Sequence, residues 1–462
     1  MAARRPVRRL RALIKEAPRF MSHHLETATD LAPKLRSGEV ASEDVVRDCF
    51  AQIEATDSAI QAWTYLDEDH ALAQARVLDD MRRAGKPLGP LHGLPVGVKD
   101  IFDTADMPTA YGSPIHGGNQ PDQDSTVVAK LREAGAVIMG KTVTTEFAFM
   151  SPGKTTNPHN AAHTPGGSSS GSAAAVAAGH VPLAIGSQTA GSIIRPAAFC
   201  GIYGLKPSQG MISRAGVLQT SENLDQIGVF GRCLEDAAML TDALTGYDAA
   251  DATTYARAKP NLSDGCRSEA PVEPNFIWFE LPFDDRLAAD SRAGFNELME
   301  ALGDQVETVV LPGSLGNIID HQRVVHHYEL RRHLAREYQE HPDQLSAAML
   351  KVLQQADAIS DEEYTNSIAA IEPAKMFFAE LFNDYDAILT PSAMGEPPLG
   401  LEQTGDPVFC AMWTFCGLPS MTLPLLTGDQ GLPVGVQLIA GWEEDHRLCR
   451  TAQWLLQFLD DS

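Results

Sequence analysis

The chain has 462 residues, a formal net charge of −25 at neutral pH, 44% hydrophobic and 21% charged residues. Apolar content of this order excludes wholesale disorder. The acidic balance argues against nucleic acid or an anionic membrane as a partner, since both need a basic face. No run of 18 apolar residues occurs, so no membrane-spanning helix is expected. Cys49, Cys200, Cys233, Cys266, Cys410, Cys416 and Cys449 are odd in number and form no CxxC pair. That pattern fits a reducing, cytoplasmic compartment better than a disulfide framework or a structural zinc site.

Residues 1–20 carry Arg4, Arg5, Arg8, Arg9, Arg11, Lys15 and Arg19 against Glu16 alone. With no apolar segment behind it, this is not a secretory signal. It reads as a flexible basic extension, and 21–462 as one large domain. Residues 26–86 read as helical: Ser42, Glu43 and Asp44 open a helix that places Val46, Phe50 and Ile53 on one face. Residues 87–95 are a Pro/Gly-punctuated connection, and 96–99 a short buried strand. Asp124 and Ser125 cap a helix carrying Val128 and Leu131, which stops at Gly135 before a strand over 136–139. Residues 150–171 read as loop, 172–178 as an Ala-rich helix and 183–185 as a strand. After a turn-rich stretch over 245–273 come a strand (276–281), a helix (286–302) and a strand (306–311). Residues 317–384 follow as nearly continuous helix. Strands at 387–389, 421–425 and 434–440 precede a helix over 445–459. Strands alternating with helices predict an α/β fold, one large domain with a central mixed β-sheet covered by helices on both faces.

Two pattern matches fail on context. Gly135 to Thr142 satisfies the G-x-x-x-x-G-K-[ST] phosphate-loop pattern, but its intervening residues are the apolar strand itself and a helix precedes it. Lys141 is then a strand-end lysine facing solvent or a neighbouring acid. Gly167-Ser168-Ser169-Ser170-Gly171 satisfies G-x-S-x-G, which needs a strand leading straight into Ser169. The lead-in, 162–166, contains His163, Pro165 and Gly166 and cannot be a central strand.

The stretch from Thr164 to Ser208 resembles the signature region of the amidase signature family. So does His92 to Asp100, which is similar to its lysine motif, and Gly431-Leu432-Pro433-Val434-Gly435-Val436-Gln437, which is similar to its C-terminal signature. The resemblance runs from about residue 26 to the C-terminus. It implies a Ser–Ser–Lys triad of Lys99, Ser168 (following a cis peptide bond) and Ser192 as nucleophile. The oxyanion would be held by N–H groups of Thr189, Ala190, Gly191 and Ser192, and no metal or organic cofactor is implied.

Elementary chemistry supports these assignments. A serine hydroxyl needs a base, and no histidine lies near Ser192 in sequence. A lysine serves if burial keeps it neutral, and Lys99 ends the uncharged run Leu94 to Val98. Ser168 can pass a proton because a hydroxyl both donates and accepts. The small residues before Ser192 leave backbone N–H groups unobstructed. Two positions depart from the family pattern, which has an acid four residues before the nucleophile and an arginine two after it. Here they hold Gln188 and Ile194, with the arginine one place later as Arg195. Two readings stay open: Gln188 hydrogen-bonds in place of the acid, or Arg195 turns inward to a different acid.

By position, the resemblance offers Phe147, Phe149, Met150, Met412, Trp413 and Phe415 as walls of an acyl pocket. His321, His326, His327 and His333 crowd one helical stretch without the i, i+4 pair of a helical metal site, and read as solvated or core residues. The expected function is an amidase that hydrolyses a carboxamide through a Ser192 acyl-enzyme. The expected partner is a small-molecule amide, with no nucleic acid or membrane, in a chain compatible with a homodimer. The alternative is the glutaminase A-type subunit of a tRNA-dependent amidotransferase, which passes ammonia to a partner. A catalytically silent scaffold on the same fold is the rival of a different class; the intact Lys99, Ser168 and Ser192 speak against it.

Overall fold

Eleven strands share one mixed sheet in the computed structural model, which describes residues 23–461. They are β1 (Trp63–Leu66), β2 (Pro95–Lys99), β3 (Val137–Thr142), β4 (Leu183–Gln188), β5 (Tyr203–Lys206), β6 (Gln226–Gly231), β7 (Phe276–Glu280), β8 (Val306–Val310), β9 (Ala387–Pro391), β10 (Ser420–Thr427) and β11 (Pro433–Ile439). Their order across the sheet is β1-β3-β2-β4-β6-β5-β10-β11-β9-β7-β8. The trios β3-β2-β4 and β9-β7-β8 are parallel and the remaining pairs antiparallel. Helices flank the sheet, and β2, β3, β4 and β6 are buried along their whole length, which is why the first three read as short apolar runs. The basic extension at 1–20 lies outside the described residues. No described helix is long and apolar enough to cross a membrane.

The α/β reading is what the structure has, with three strands beyond those expected. The four-residue β1 sits inside the stretch read as helical. The strands β5 and β6 were not legible: one is four residues long, and Gly228 and Gly231 dilute the β pattern of the other. The helix expected at Ser42 spans Ser42–Ile60, but its first amides are held by the Asp79 carboxylate (Ser42 N at 3.0 Å, Glu43 N at 3.2 Å). Ser125 caps Thr126–Glu133 as expected.

Lys141, at the discarded phosphate-loop pattern, is buried. Its Nζ donates to the Phe102 carbonyl (2.8 Å) and Thr109 Oγ1 (2.6 Å), and lies 3.4 Å from Asp100 Oδ1. Ser169 is likewise buried at the start of helix Ser170–Ala177, and its hydroxyl donates to the Ser187 carbonyl at 3.3 Å.

Candidate active site

Parallel pairing of β2 with β4 (Val96↔Leu183, Val98↔Ile185) brings their C-terminal ends to one edge of the sheet. Ligand sites of open α/β sheets gather at such ends. There β2 ends on Lys99, and β4 ends on Ser187 and Gln188. Lys99 Nζ lies 2.7 Å from Ser168 Oγ and 3.0 Å from Ser187 Oγ. The Gly167–Ser168 peptide bond is cis, as the resemblance implied. Ser168 is pinned on its own backbone: its carbonyl accepts from Thr145 N (3.2 Å), and the Gly167 carbonyl accepts from Arg195 Nη2 (2.7 Å).

Full burial pushes the Lys99 amine down to about 7, against a smaller upward pull from the Asp225 carboxylate. That carboxylate is occupied with four other donors: Thr189 Oγ1 (2.5 Å), Thr220 N (2.7 Å), Thr220 Oγ1 (2.9 Å) and Ser221 N (2.9 Å). Asp100 pairs with Lys141, so no carboxylate adjoins Lys99 directly.

Residues 189–193 turn from β4 into helix Ile194–Cys200. Gln188 fixes this turn. Its Oε1 accepts from Ile193 N (2.8 Å) and Ile194 N (3.0 Å), while its Nε2 donates to Thr414 Oγ1 (2.9 Å). The amide thus does for two helix-start N–H groups what an acid could do, without a charge. Ala190, Gly191 and Ser192 are left with backbone N–H groups that have no acceptor among the described residues. A Cβ on Gly191 would stand 2.9 Å from Pro407 Cβ, so the turn tolerates only glycine there. Truncating Gln188 leaves both helix-start amides buried and unpaired. Gln188→Ala should therefore lower stability by about 2–4 kcal/mol in urea unfolding, and lower turnover with it.

Ser192 borders a pocket of about 240 Å³. That is below the ~300–1,000 Å³ of drug-sized ligand sites and suits a small amide. Its walls include Ala148, Phe149, Met150, Thr189, Ala190, Val408 and Ala411, and one face of helix Ile318–His333: Ile319, Gln322, Arg323, His326 and His327. Phe149 meets His326 and His327 edge-on at 5.0 and 5.9 Å. Burial drives these imidazoles down to about 3 and about 4, so both are neutral at pH 7. The charged residues of the lining are Arg195, Arg286, Arg323 and Asp406. Arg286 pairs with Asp406, and Arg323 with Asp320 at 3.0 Å.

Of the expected pocket residues, Phe149 and Met150 border this cavity. Phe147, Met412, Trp413 and Phe415 do not; each is buried in a hydrophobic cluster. Helix Val408–Phe415 is apolar on every side, and packing turns Val408 and Ala411 to the pocket while Trp413 meets Phe378 at 5.4 Å. The histidine-rich helix carries the missed wall. Positions 319, 322, 323, 326 and 327 follow one helical face, a spacing visible in the sequence, and His326 and His327, expected as solvated or core residues, line the cavity. Among the described residues no group of three or more His, Cys, Asp or Glu side chains is placed to hold a metal ion.

The family model described as Amidase matches residues 44–449. A curated relative, the glutamyl-tRNA(Gln) amidotransferase A subunit of Rhodopirellula baltica, is 34% identical, the match covering 92% of this chain and 95% of its own. Among solved structures, the chain resembles one from an inhibitor-bound vestigial protein complex tied to the evolutionary origins of an s-triazine catabolic enzyme. The TM-score is 0.87 with 27% identity, over 94% of this chain and 98% of that one. Native peptide amidase from Stenotrophomonas maltophilia matches with a TM-score of 0.79 and 29% identity, over 94% and 96%. The first of these relatives corrects the expected partners. It is one subunit of an enzyme named for a tRNA substrate. A small-molecule amide as sole partner, no nucleic acid, and at most a second copy of the same chain is therefore not the pattern of this kind of protein. Composition and net charge carry no signal for companion subunits, which is why the expectation stopped at a small molecule.

Proposed function

The chain belongs to the amidase signature family, and from that premise we propose that it is the amide-hydrolysing subunit of a tRNA-dependent amidotransferase-type assembly. It is an amide C–N hydrolase. In this reading the substrate is the side-chain amide of glutamine, and the ammonia released passes to a partner subunit. The observation that carries it is likeness to the amidotransferase relative over nearly the full length of both chains.

Ser192 attacks the amide carbonyl while Ser168 takes its proton and hands one to neutral Lys99, for which the 2.7 Å Lys99–Ser168 contact is the support. The free N–H groups of Ala190, Gly191 and Ser192 receive the oxyanion, with Thr189 next to them on the pocket wall. Collapse of the tetrahedral adduct expels ammonia, protonated back along Lys99–Ser168. Water then attacks the Ser192 ester by the same relay and releases the carboxylate. Seven free cysteines support the cytoplasm as the compartment.

A second reading, an amidase working alone, is favoured by the apolar part of the pocket wall (Phe149, Met150, Ile319, Val408, Ala411). Glutaminase assays separate the two. The assembled complex with glutamyl-tRNA(Gln) should hydrolyse glutamine at least about tenfold faster than the isolated chain. Full activity of the isolated chain on simple amides, unchanged by companion subunits, would establish the second reading instead.

A further inference from the structure

Neutral Lys99 has to accept a proton, and the burial that keeps it neutral also makes it reluctant to do so. A dry site with nothing to oppose the new positive charge would leave a weak base. The lysinium formed when the Ser192 proton arrives therefore needs a negative charge within reach. Position 188, next to Ser187, cannot supply one, because it holds the neutral amide of Gln188.

The charged groups packed around Lys99 leave one candidate among the described residues. After β2, Asp100 pairs with Lys141 of β3, and Asp103 accepts from the Tyr111 hydroxyl at 2.8 Å. Glu146, just past β3, accepts from Ser346 N at 3.0 Å. Neither β4 nor helix Ser170–Ala177 carries a charged side chain. Arg195 lies beyond Ser168, on the Gly167 carbonyl. Before β6, Glu222 pairs with Arg332 and His333, and Arg214 with Asp251. Asp225 differs. Its carboxylate accepts only from neutral donors, on Thr189, Thr220 and Ser221, and Arg214 reaches its main-chain carbonyl (3.2 Å) instead. Ser187, whose hydroxyl touches the Lys99 amine, and Asp225 border one small cavity of about 10 Å³. That is room for about one water, so a charge acts across it with little screening. Asp225 is the carboxylate whose pull on Lys99 is felt.

We propose that Asp225 is a positioning residue for the Ser192 reaction: its carboxylate is the counter-charge that Lys99 faces, across the small cavity, when it takes the proton relayed by Ser168. The same carboxylate holds the Thr189 hydroxyl at 2.5 Å, at the head of the turn whose N–H groups receive the oxyanion. One side chain thus places both charges of the tetrahedral adduct, the oxyanion through Thr189 and the lysinium through space. Asp225 touches neither substrate nor reacting atoms. This inference rests on the Ser192–Ser168–Lys99 relay, adds the residue that sets the proton affinity of its base, and does not depend on which amide is hydrolysed.

The pH profile of Ser192 phosphonylation by a fluorophosphonate tests it without any choice of substrate. In the wild type the labelling rate should rise through about 7. Asp225→Asn keeps the shape of the side chain and removes the charge. Without the anion the ammonium form is less favoured, so neutral Lys99 persists to lower pH. The midpoint should move down by about half a unit or more, and the plateau rate should fall about tenfold because the amine is a weaker base. Asp225→Glu, which restores the charge, should keep the midpoint near that of the wild type. Should Asp225→Asn not fold, Gln219→Lys, on the partly exposed rim of the same cavity, sets a cation against the carboxylate and should move the midpoint the same way. A variant that labels more slowly at every pH with its midpoint unmoved makes Asp225 merely structural and overturns the proposal, as does a midpoint that moves up. Wild-type labelling with no rise near 7 would remove Lys99 as the base and take the relay and this inference down together. Failure of the assembled complex to use glutamine, with the midpoint shift intact, would sink the glutamine reading and leave this one standing.

Discussion

Ser192→Ala is expected to lower turnover by about 10⁴-fold or more, as loss of a nucleophile does elsewhere, while the protein stays folded. The side chain borders the pocket, and removing one hydroxyl there should shift stability by less than about 1 kcal/mol. Turnover and unfolding thus separate a lost nucleophile from a lost fold. A fluorophosphonate should leave its mass on the peptide containing Ser192 in the wild type and on nothing in the variant. Ser169 is the alternative that the G-x-S-x-G pattern nominates. It is buried with its hydroxyl given to the Ser187 carbonyl, so it can neither reach substrate nor spare its proton. An adduct on Ser169 would overturn the assignment.

For Lys99, activity should rise with pH through a single ionisation near 7. The sign follows from which form works. Only the neutral amine accepts a proton, burial favours that form, and its fraction grows as pH climbs through about 7. An exposed lysine, with a pKa near 10.4, would put the rise more than three units higher. Lys99→Met should remove the pH-dependent limb and cost about 10²–10⁴-fold in rate. Lys99→Arg should do as badly, because arginine keeps its proton throughout this range. Substantial activity in Lys99→Arg would make Lys99 an electrostatic fixture and send the search for a base elsewhere.

Burial alone does not single out Lys99: Lys206 is also brought down to about 7 and Lys141 to about 8. Geometry separates the three. The Lys206 amine is surrounded by acceptors, namely the carbonyls of Pro207 and Leu418 and Gln226 Oε1. Lys141 faces the Phe102 carbonyl, Thr109 and Asp100. Such partners hold an ammonium in place. Lys99 meets hydroxyls, Ser168 and Ser187, which can give a proton as well as take one. Replacing Lys206 should accordingly cost stability and leave the shape of the pH profile intact.

The α/β class and most strand positions were legible in the sequence, because each is written over a short span, and the same is true of the motifs that nominate Lys99, Ser168 and Ser192. Apolar runs between Pro and Gly marked the buried strands. The uncharged approach to Lys99, the glycines before Ser168 and the small residues before Ser192 marked groups whose chemistry depends on their immediate neighbours. Gln188 was one of two readings for the missing acid, drawn from the departure itself; that its targets are the Ile193 and Ile194 amides came from the structure. Only the tertiary structure decided what depends on facing. Helix Val408–Phe415 is apolar all round, so nothing in its sequence distinguishes Val408 and Ala411, at the pocket, from Met412, Trp413 and Phe415, in the core. Nor could the sequence say that Asp406 would be claimed by Arg286 and that Arg195 would be left without an acid. Residue type and near spacing are local properties of the chain. The direction a side chain points, and which charge reaches it first, are set when segments more than a hundred residues apart pack against one another.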